Sequence, residues 1–156
     1  MRAAFVYAEP INGLLRRFKF HQDLAAGNVL VQLMAQHLRL ADRPQVLVPV
    51  PLHRRRLAQR GYDQALELAA PLARALQVPL VNGLIRTKAT GAQTRLDATG
   101  RARNLRGAFA VTRPLPAHVV LVDDVMTTGA TLQAACTALH QAGVVRVDAW
   151  VCARVP

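Results

Sequence analysis

The chain has 156 residues, 52% of them hydrophobic, and its 20 basic residues outnumber 9 acidic ones to give a formal net charge of +11. This length is typical of a single domain with a substantial core and is too short for two. The sequence contains no apolar run of membrane-spanning length, no secretory signal at its amino terminus and no Cys-x-x-Cys pair of the kind that binds zinc.

The excess of positive charge favours polyanionic partners, which are phosphorylated substrates, nucleic acid or both. The two cysteines, Cys136 and Cys152, lie in apolar stretches of the sequence. Free buried thiols are therefore expected, as in a reducing compartment, and the sequence predicts a cytoplasmic protein without a membrane span.

The first forty residues predict one strand and two helices. Residues 3–8 form an apolar strand, and apolar side chains then recur at helical spacing from Ile11 and again over 24–40. Residues 16–21 mix charged with aromatic side chains. This cluster is either the solvated face of an amphipathic helix or a surface on which bases stack.

A second buried strand is predicted over 46–50, and a turn stiffened by prolines leads from it into three consecutive arginines. Guanidinium groups match phosphate oxygens in geometry, so this turn is a candidate clamp for a diphosphate. Composition alone does not distinguish the clamp from a basic surface loop. The candidate clamp residues are Pro51, Leu52, His53, Arg54 and Arg55.

A third helix is predicted over 61–77, with a kink or break at Pro71, and a third strand over 80–85. Residues 86–107 are polar, basic and interrupted by glycine. A loop of this length in a compact domain is either functional or disordered. Residues 86–106 are expected to be poorly ordered without a ligand, because few apolar side chains offset an ordering entropy of roughly 1–2 kcal/mol per residue.

The most informative stretch is 119–131, which reads V-V-L-V-D-D-V-M-T-T-G-A-T. Four apolar residues predict a strand buried on both faces, Asp123 and Asp124 stand at its carboxyl end, and a helix follows the loop. This order places a helix amino terminus at the carboxyl edge of a parallel sheet, where open α/β sheets bind ligands. A last strand is predicted over 145–153.

The loop over 127–131 suits an anion, because its small residues let successive backbone N–H groups converge at the positive end of the helix dipole. The two aspartates would repel a phosphate, so they require ribose hydroxyls, Mg²⁺ or both beside it. A 5′-phosphorylated ribose fits this combination. The structural alternative is an ordinary strand end with Thr127 or Thr128 as the helix cap.

The stretch 119–131 resembles the signature of the type I phosphoribosyltransferases, which bind 5-phosphoribosyl-1-pyrophosphate (PRPP). Three more strings are similar to the ComF family of bacterial phosphoribosyltransferase-like proteins: V-P-V-P-L-H-R-R-R-L-A-Q-R-G-Y-D-Q-A, R-T-K-A-T-G-A-Q-T-R-L and R-x-R-N-L-R-G-A-F. Members of that family are associated with DNA uptake during natural competence. Many of them begin with a cysteine-rich zinc-binding segment, which this sequence does not contain.

The resemblance implies an α/β fold of the type I phosphoribosyltransferase kind, with a mainly parallel central sheet of about five strands and helices on both faces. It implies one domain over 1–156. Residues 1–43 would form a small amino-terminal hood, and residues 44–156 would form the PRPP-binding core.

The resemblance also implies roles for the candidate residues. Asp123 and Asp124 would hold the ribose hydroxyls, and the substrate would carry Mg²⁺ close to them. The turn over 51–55 would cover the diphosphate, with Arg86 and Lys88 as charge donors. The catalytic residues would be Asp123, Asp124, Arg86 and Lys88. The loop around the 5′-phosphate would consist of Met126, Thr127, Thr128, Gly129, Ala130 and Thr131.

Two functions are compatible with these assignments. An active enzyme would transfer the phosphoribosyl group to a nitrogenous base and release pyrophosphate, with positioning, Mg²⁺ and cationic groups supplying the catalysis. The alternative is a non-catalytic competence protein that handles single-stranded DNA on the same fold. The expected partners are PRPP or a related phosphoribosyl ligand, single-stranded DNA and other competence proteins.

Overall fold

The structure is a computed structural model that describes residues 1–39, 41–89, 105 and 107–156. Its strands are β1 Arg2–Val6, β2 Val46–Pro49, β3 Leu84–Arg86, β4 Phe109–Val111, β5 His118–Met126 and β6 Arg146–Arg154. Its helices are α1 Ile11–His21, α2 Leu24–Leu38, α3 Arg54–Arg60, α4 Gln64–Leu76 and α5 Ala130–Gln141. Within these described ranges, no helix has both the length and the apolar character needed to cross a membrane.

A parallel sheet in the order β1-β6-β5-β2 forms the centre of the molecule. β5 pairs with β6 along its whole length, but with β2 only as far as Pro49, which lies opposite Val122. β1 pairs in parallel with the other edge of β6. The predicted α/β fold with a mainly parallel sheet is therefore confirmed.

The side chains of β5 alternate between two hydrophobic cores, one on each face of the sheet. Val120 and Val122 face a core to which α1, α2 and α4 contribute, whereas Val119 and Leu121 face a core that includes side chains of α5. All four are at most 1% exposed. The prediction of a strand buried on both faces, with helices on both faces of the sheet, is confirmed.

The strand predicted over 80–85 is interrupted, which corrects the expected fifth strand of the sheet. Leu80 forms a single parallel bridge to Leu47 of β2, and the chain then turns through Gly83. β3 pairs in the antiparallel sense with β4 and makes a separate two-stranded sheet. A Cβ at Gly83 would lie 2.8 Å from Cδ2 of the partly buried Leu115, so a side chain at this position would require Leu115 to shift.

The amino-terminal elements belong to the same layers as the rest of the chain. β1 is an edge strand of the central sheet, and α1 and α2 share one hydrophobic core with α4. The division of the chain at residue 43 into a hood and a core stays a prediction.

A ring contact holds α1 against α2. Phe18 of α1 is 1% exposed, and a Cβ built at Gly27 of α2 would lie 2.8 Å from two atoms of its ring. The absence of a side chain at Gly27 therefore lets the two helices approach closely.

We expect Gly27→Ala to destabilise the fold, because the buried Phe18 ring has to shift. Such overpacking typically costs about 1–3 kcal/mol, which exceeds the roughly 1 kcal/mol that alanine gains over glycine inside a helix. Denaturant unfolding measures the difference. Gly13→Ala in α1 is the matched control, since its Cβ would approach only the flexible Glu9 carboxylate, at 3.2 Å. A Gly27→Ala protein as stable as the Gly13→Ala protein would show that the ring contact is not restrictive.

Candidate functional site

The carboxyl ends of β2 and β5 create an open edge at which the signature residues lie. β2 ends at Pro49 opposite Val122, whereas β5 continues to Met126 with β6 as its partner. The strand is thus longer than predicted, and Asp123 and Asp124 lie inside it. Because β2 stops before them, other elements can approach the aspartates from that side.

Asp124 continues the row of Val120 and Val122 and faces the layer of α1 and α4. It is 8% exposed, and both of its carboxylate oxygens accept hydrogen bonds. Oδ1 accepts from the Val125 N–H at 2.8 Å, and Oδ2 accepts from Lys19 Nζ at 2.7 Å. The pattern of the sequence did not single out Lys19, because its charged neighbours give α1 the character of a helix with a solvated basic face.

Asp123 is less buried than Asp124, and its Oδ1 accepts a hydrogen bond from the Asp124 N–H at 2.9 Å. Burial raises the pKa of Asp123 well above its ordinary value, and the neighbouring Asp124 carboxylate raises it further. Arg86 of β3 lies close enough for its charge to interact with Asp123. Lys19 of α1 donates a hydrogen bond to Asp124 and its charge also acts on Asp123, whereas Arg86 of β3 interacts with Asp123.

The loop between β5 and α5 leaves the first turn of that helix without a side-chain cap. Gly129 occupies the N-cap position with φ 75°, and no side chain of the described residues caps the helix there. Thr127 and Thr128 are exposed, so the alternative in which a threonine caps the helix is wrong. The first-turn N–H groups, including those of Ala130 and Thr131, have no acceptor within the helix and lie at the positive end of its dipole.

Asp63, which the sequence analysis did not single out, fixes the turn after β2. Its Oδ2 accepts from the Leu52 N–H at 2.9 Å, and its Oδ1 accepts from the Leu66 N–H at 3.2 Å. One carboxylate therefore caps α4 and anchors the turn. Burial raises the pKa of Asp63 and the charge of Asp124 contributes to the rise, which places a third carboxylate near the aspartate pair.

The arginines that follow this turn begin α3, and the assignment of residues 51–55 to a diphosphate clamp stays a prediction. His53 is the N-cap of α3 and forms a bridge with Arg86, which brings β3 beside the turn. Arg54 and Arg55 are exposed, whereas Arg56 is half-buried. Burial lowers the pKa of Arg86 and the charge of Arg56 lowers it further, so Arg56 is the arginine of α3 that lies near Arg86.

The two predicted charge donors occupy different positions on the β3–β4 hairpin. The guanidinium carbon of Arg86 lies 5.5 Å from the ring centroid of Phe109. Lys88 is exposed and its amino group lies beside Gly107, where an added Cβ would be 3.7 Å from Lys88 Nζ. The expected disorder of the 86–106 loop concerns mainly residues outside the described ranges, and it stays a prediction.

Contacts with the junction of α3 and α4 hold the carboxyl end of α1 in place. The Tyr62 hydroxyl donates to the carbonyl of Phe18, and the two rings form an edge-to-face pair with centroids 5.9 Å apart. Gln22 Nε2 donates to the carbonyl of Arg60 at 3.1 Å. Lys19 lies in the turn of α1 that these contacts fix.

A buried thiol lies close to the aspartate pair. Cys152 of β6 is fully buried, and burial together with the negative charge of Asp124 raises its pKa to about 12. The thiol is therefore protonated at neutral pH and is a poor nucleophile. The prediction of free buried thiols is confirmed for Cys152, whereas Cys136 is free but only partly buried.

The donor set suits a magnesium ion that arrives with its ligand. Among the described residues, no three or more His, Cys, Asp or Glu side chains form a group that could hold a metal ion. Mg²⁺ is commonly bound by one or two carboxylates together with phosphate oxygens of a substrate. With Asp124 engaged by Lys19, Asp123 fits this arrangement.

Comparisons with known proteins agree with this architecture. The family described as phosphoribosyl transferase domain matches residues 63–156. Competence protein F of Haemophilus influenzae is 37% identical to this chain, with 95% of this chain and 69% of that protein aligned. The DNA utilization protein YhgH of Escherichia coli (strain K12) is 35% identical, with the same 95% and 69% aligned. Among solved structures, the glutamine phosphoribosylpyrophosphate amidotransferase from B. subtilis is 25% identical with a TM-score of 0.56, over 83% of this chain and 26% of that chain.

Proposed function

The chain belongs to the phosphoribosyl transferase domain family and, within it, to the ComF group of competence and DNA utilization proteins, and we propose that it binds a 5-phosphoribosyl ligand together with Mg²⁺. The observation that carries this proposal is an uncapped helix amino terminus beside two aspartates at one sheet edge. A phosphate suits the helix terminus, and the hydroxyls of a ribose or a substrate-borne cation suit the carboxylates.

Each part of the ligand has a corresponding group in the site. The 5′-phosphate would accept hydrogen bonds from the first-turn N–H groups that follow Gly129 and from nearby threonine hydroxyls. Asp123 would accept from the ribose hydroxyls. The diphosphate would lie toward Arg56 and Arg86, and Mg²⁺ would neutralise part of its charge.

For turnover, we propose phosphoribosyl transfer to a nitrogenous base. The bond between the anomeric carbon and the pyrophosphate oxygen breaks, and its electron pair leaves with pyrophosphate. The lone pair of the base nitrogen forms the new bond, and the proton on that nitrogen is released. Arg56 and Arg86 would stabilise the charge on the leaving group, and the aspartates would keep the ribose in a reactive position.

Calorimetric titration with PRPP, with and without Mg²⁺, tests the binding. Saturable binding that becomes tighter when Mg²⁺ is present is the expected result. A chain that binds no PRPP under either condition would remove the proposal. A screen of bases for pyrophosphate release then separates binding from turnover.

A second candidate function, the handling of single-stranded DNA, is favoured by one surface. Arg54 and Arg55 project from α3, and Phe20 of α1 is 65% exposed. The contact between Gln22 and the Arg60 carbonyl joins the carboxyl ends of these two helices, and Arg54 lies roughly 9 Å from Arg60 along α3. Basic and aromatic side chains on one surface are the combination that binds single strands without sequence preference. The other aromatic residue of this stretch of α1, Phe18, is buried in the core and does not contribute.

If this surface binds single-stranded DNA, affinity should fall steeply as salt concentration rises. Replacing Arg54 and Arg55 together by alanine should weaken binding and reduce the slope of log K against log[salt] by roughly one to two units, at about 0.7 per lost phosphate contact. Phe20→Ala should weaken binding without changing the slope. Fluorescence anisotropy with a labelled oligonucleotide at several salt concentrations measures both quantities.

A matched variant separates this surface from net charge. Arg43 and Arg74 both lie near Gln77, away from α1 and α3, and replacing the two by alanine removes the same total charge. An unchanged slope is expected for that variant. Equal slope changes in both double variants would mean that DNA responds only to the overall charge of the chain.

A further inference from the structure

An ion pair joins the first helix of the chain to the aspartates of the ligand site. Lys19 Nζ lies 2.7 Å from Asp124 Oδ2, and the two side chains are only 26% and 11% exposed. A pair that is largely withdrawn from water is screened less by salt than a surface pair, and removing one partner leaves the other charge uncompensated. The position of the Asp124 carboxylate therefore depends on a residue of α1.

A second ion pair on α1 provides a comparison. Arg17 Nη2 lies 2.6 Å from Asp23 Oδ2, but the Arg17 side chain is 65% exposed. Asp23 caps α2 by accepting from the Ala26 N–H, so this pair joins α1 to α2 at the surface. Arg17 is only two positions from Lys19 in the sequence, but its ion pair is not at the sheet edge where the two aspartates lie.

The surroundings of Asp124 indicate what the lysine does. Both oxygens of Asp124 are engaged, one by Lys19 and one by the Val125 N–H. Two more carboxylates, those of Asp63 and Asp123, lie near enough to repel it. Without the lysine, the Asp124 carboxylate would lose its cationic hydrogen-bond partner and keep two carboxyl groups beside it, so it would no longer be held in this position.

A movement of Asp124 would not remain local. Asp123 Oδ1 accepts its hydrogen bond from the backbone N–H of Asp124, so the orientation of the first carboxylate depends on the backbone of the second. Lys19 itself is fixed, because the Tyr62 hydroxyl and the Tyr62 ring hold the adjacent Phe18. A chain of direct contacts therefore runs from the core of α1 to the acceptor oxygens of the site.

We propose that Lys19 is a positioning residue of the ligand site, which holds Asp124 in place so that Asp123 presents its carboxylate to the hydroxyls of the bound sugar. The inference rests on the proposed phosphoribosyl function and adds an unequal division of roles, with Asp124 as support and Asp123 as acceptor. It also gives α1 a part in selecting a sugar that carries hydroxyl groups.

The test compares ribose 5-phosphate with 2-deoxyribose 5-phosphate as probes, by calorimetry of the full chain in the presence of Mg²⁺. The wild type should prefer the sugar with the additional hydroxyl, because an acceptor built for a hydroxyl is left unpaired by the analogue that lacks it. Lys19→Met should reduce that preference by about tenfold or more. Lys19→Arg retains the charge and should restore part of the preference, and Arg17→Met should behave as the wild type does.

A double-mutant cycle shows whether the lysine acts through its partner. If it does, Lys19→Met combined with Asp124→Asn should lose no more of the sugar preference than either change alone. Fully additive losses would overturn the proposal. So would an equal weakening of both sugars in Lys19→Met, since a general loosening of the fold has that effect and leaves the preference unchanged. Thermal unfolding of the same variants records any such loosening.

The result for the wild type distinguishes this inference from the function on which it rests. If the wild type binds PRPP and Lys19→Met keeps the full sugar preference, the positioning role is overturned and the proposed function stands. If the wild type binds neither PRPP nor ribose 5-phosphate, the proposed function is overturned and the positioning role with it.

Discussion

Gly129→Val is expected to weaken PRPP binding by about 100-fold, which corresponds to roughly 2.8 kcal/mol. Gly129 has φ 75° at the start of α5, a conformation that costs a residue with a side chain about 1–2 kcal/mol and is least tolerated by β-branched residues. Relief of that strain would rotate the loop and turn the first-turn N–H groups away from the phosphate. Crowding is not the cause, because a Cβ at this position would make an ordinary contact, 3.6 Å from Met126 Sδ.

Gly143→Val is the matched control for this variant. Gly143 follows α5 with φ 93°, and a Cβ there would meet no atom of the described residues within 4 Å. The change introduces comparable backbone strain at the opposite end of the same helix. It should lower stability while leaving calorimetric affinity for PRPP intact. If both variants bind PRPP equally well, the amino terminus of α5 is not where the phosphate binds.

Asp123→Asn is expected to remove the Mg²⁺-dependent part of the PRPP affinity, because an amide lacks the charge and half the acceptor capacity of a carboxylate. The same variant should be more stable than the wild type at pH 7. The pKa of Asp123 is raised by burial and by Asp124, so the folded protein loses stability as the pH rises from the ordinary value of 3.8 through the raised one. Asparagine does not titrate, and the difference in stability should disappear below the ordinary value.

Ionisation of Asp23 should have the opposite effect on the stability of the fold. Its pKa is lowered by the Ala26 N–H and by the Arg17 side chain, so the ionised form stabilises the fold at neutral pH and this contribution is lost as the pH falls. Asp23→Asn should therefore lower the midpoint of thermal unfolding at pH 7 and leave PRPP binding unchanged.

A destabilised Asp123→Asn protein, or one that keeps its full response to Mg²⁺, would disagree with the role given to Asp123.

Local sequence pattern was sufficient for the central strand and the loop that follows it. The continuous apolar run over 119–122 can be satisfied only by burial on both faces, and it leads directly into the aspartates and Gly129. The last strand, β6, was predicted for the same reason, since its apolar character is visible over 145–153 without knowledge of its neighbours. What these stretches share is that their structure depends on residues close to them in the chain.

The Lys19–Asp124 pair could not be predicted in this way, because it joins residues 105 positions apart. Which face of α1 turns toward the sheet is decided by the packing of Phe18 against Gly27 and Tyr62. In the sequence, Lys19 is one of several adjacent charges in α1, and its neighbour Arg17 is indeed largely exposed. Only the tertiary structure distinguishes the partly buried Lys19 from the exposed Arg17.

Two other differences concern short elements that the sequence pattern did not reveal. The apolar run over 80–85 indicated one strand, but the chain turns at Gly83, and the second half pairs with β4. The arginines after Pro51 indicated a turn or a basic surface loop. They instead begin α3, which spans the seven residues Arg54–Arg60 and is too short for a helical period to be recognised. In both cases a short element is stabilised by contacts with distant parts of the chain.

Nuclear magnetic resonance can show whether a phosphate binds at the amino terminus of α5 while the sugar lies at Asp123. The backbone amide signals of the isotope-labelled chain are followed while ribose 5-phosphate is added in the presence of Mg²⁺. We expect the signals of residues 127–131 and of Asp123 to shift and saturate together, and those around Lys19 to follow the same curve. Saturable binding with unmoved signals at 127–131 would contradict this expectation.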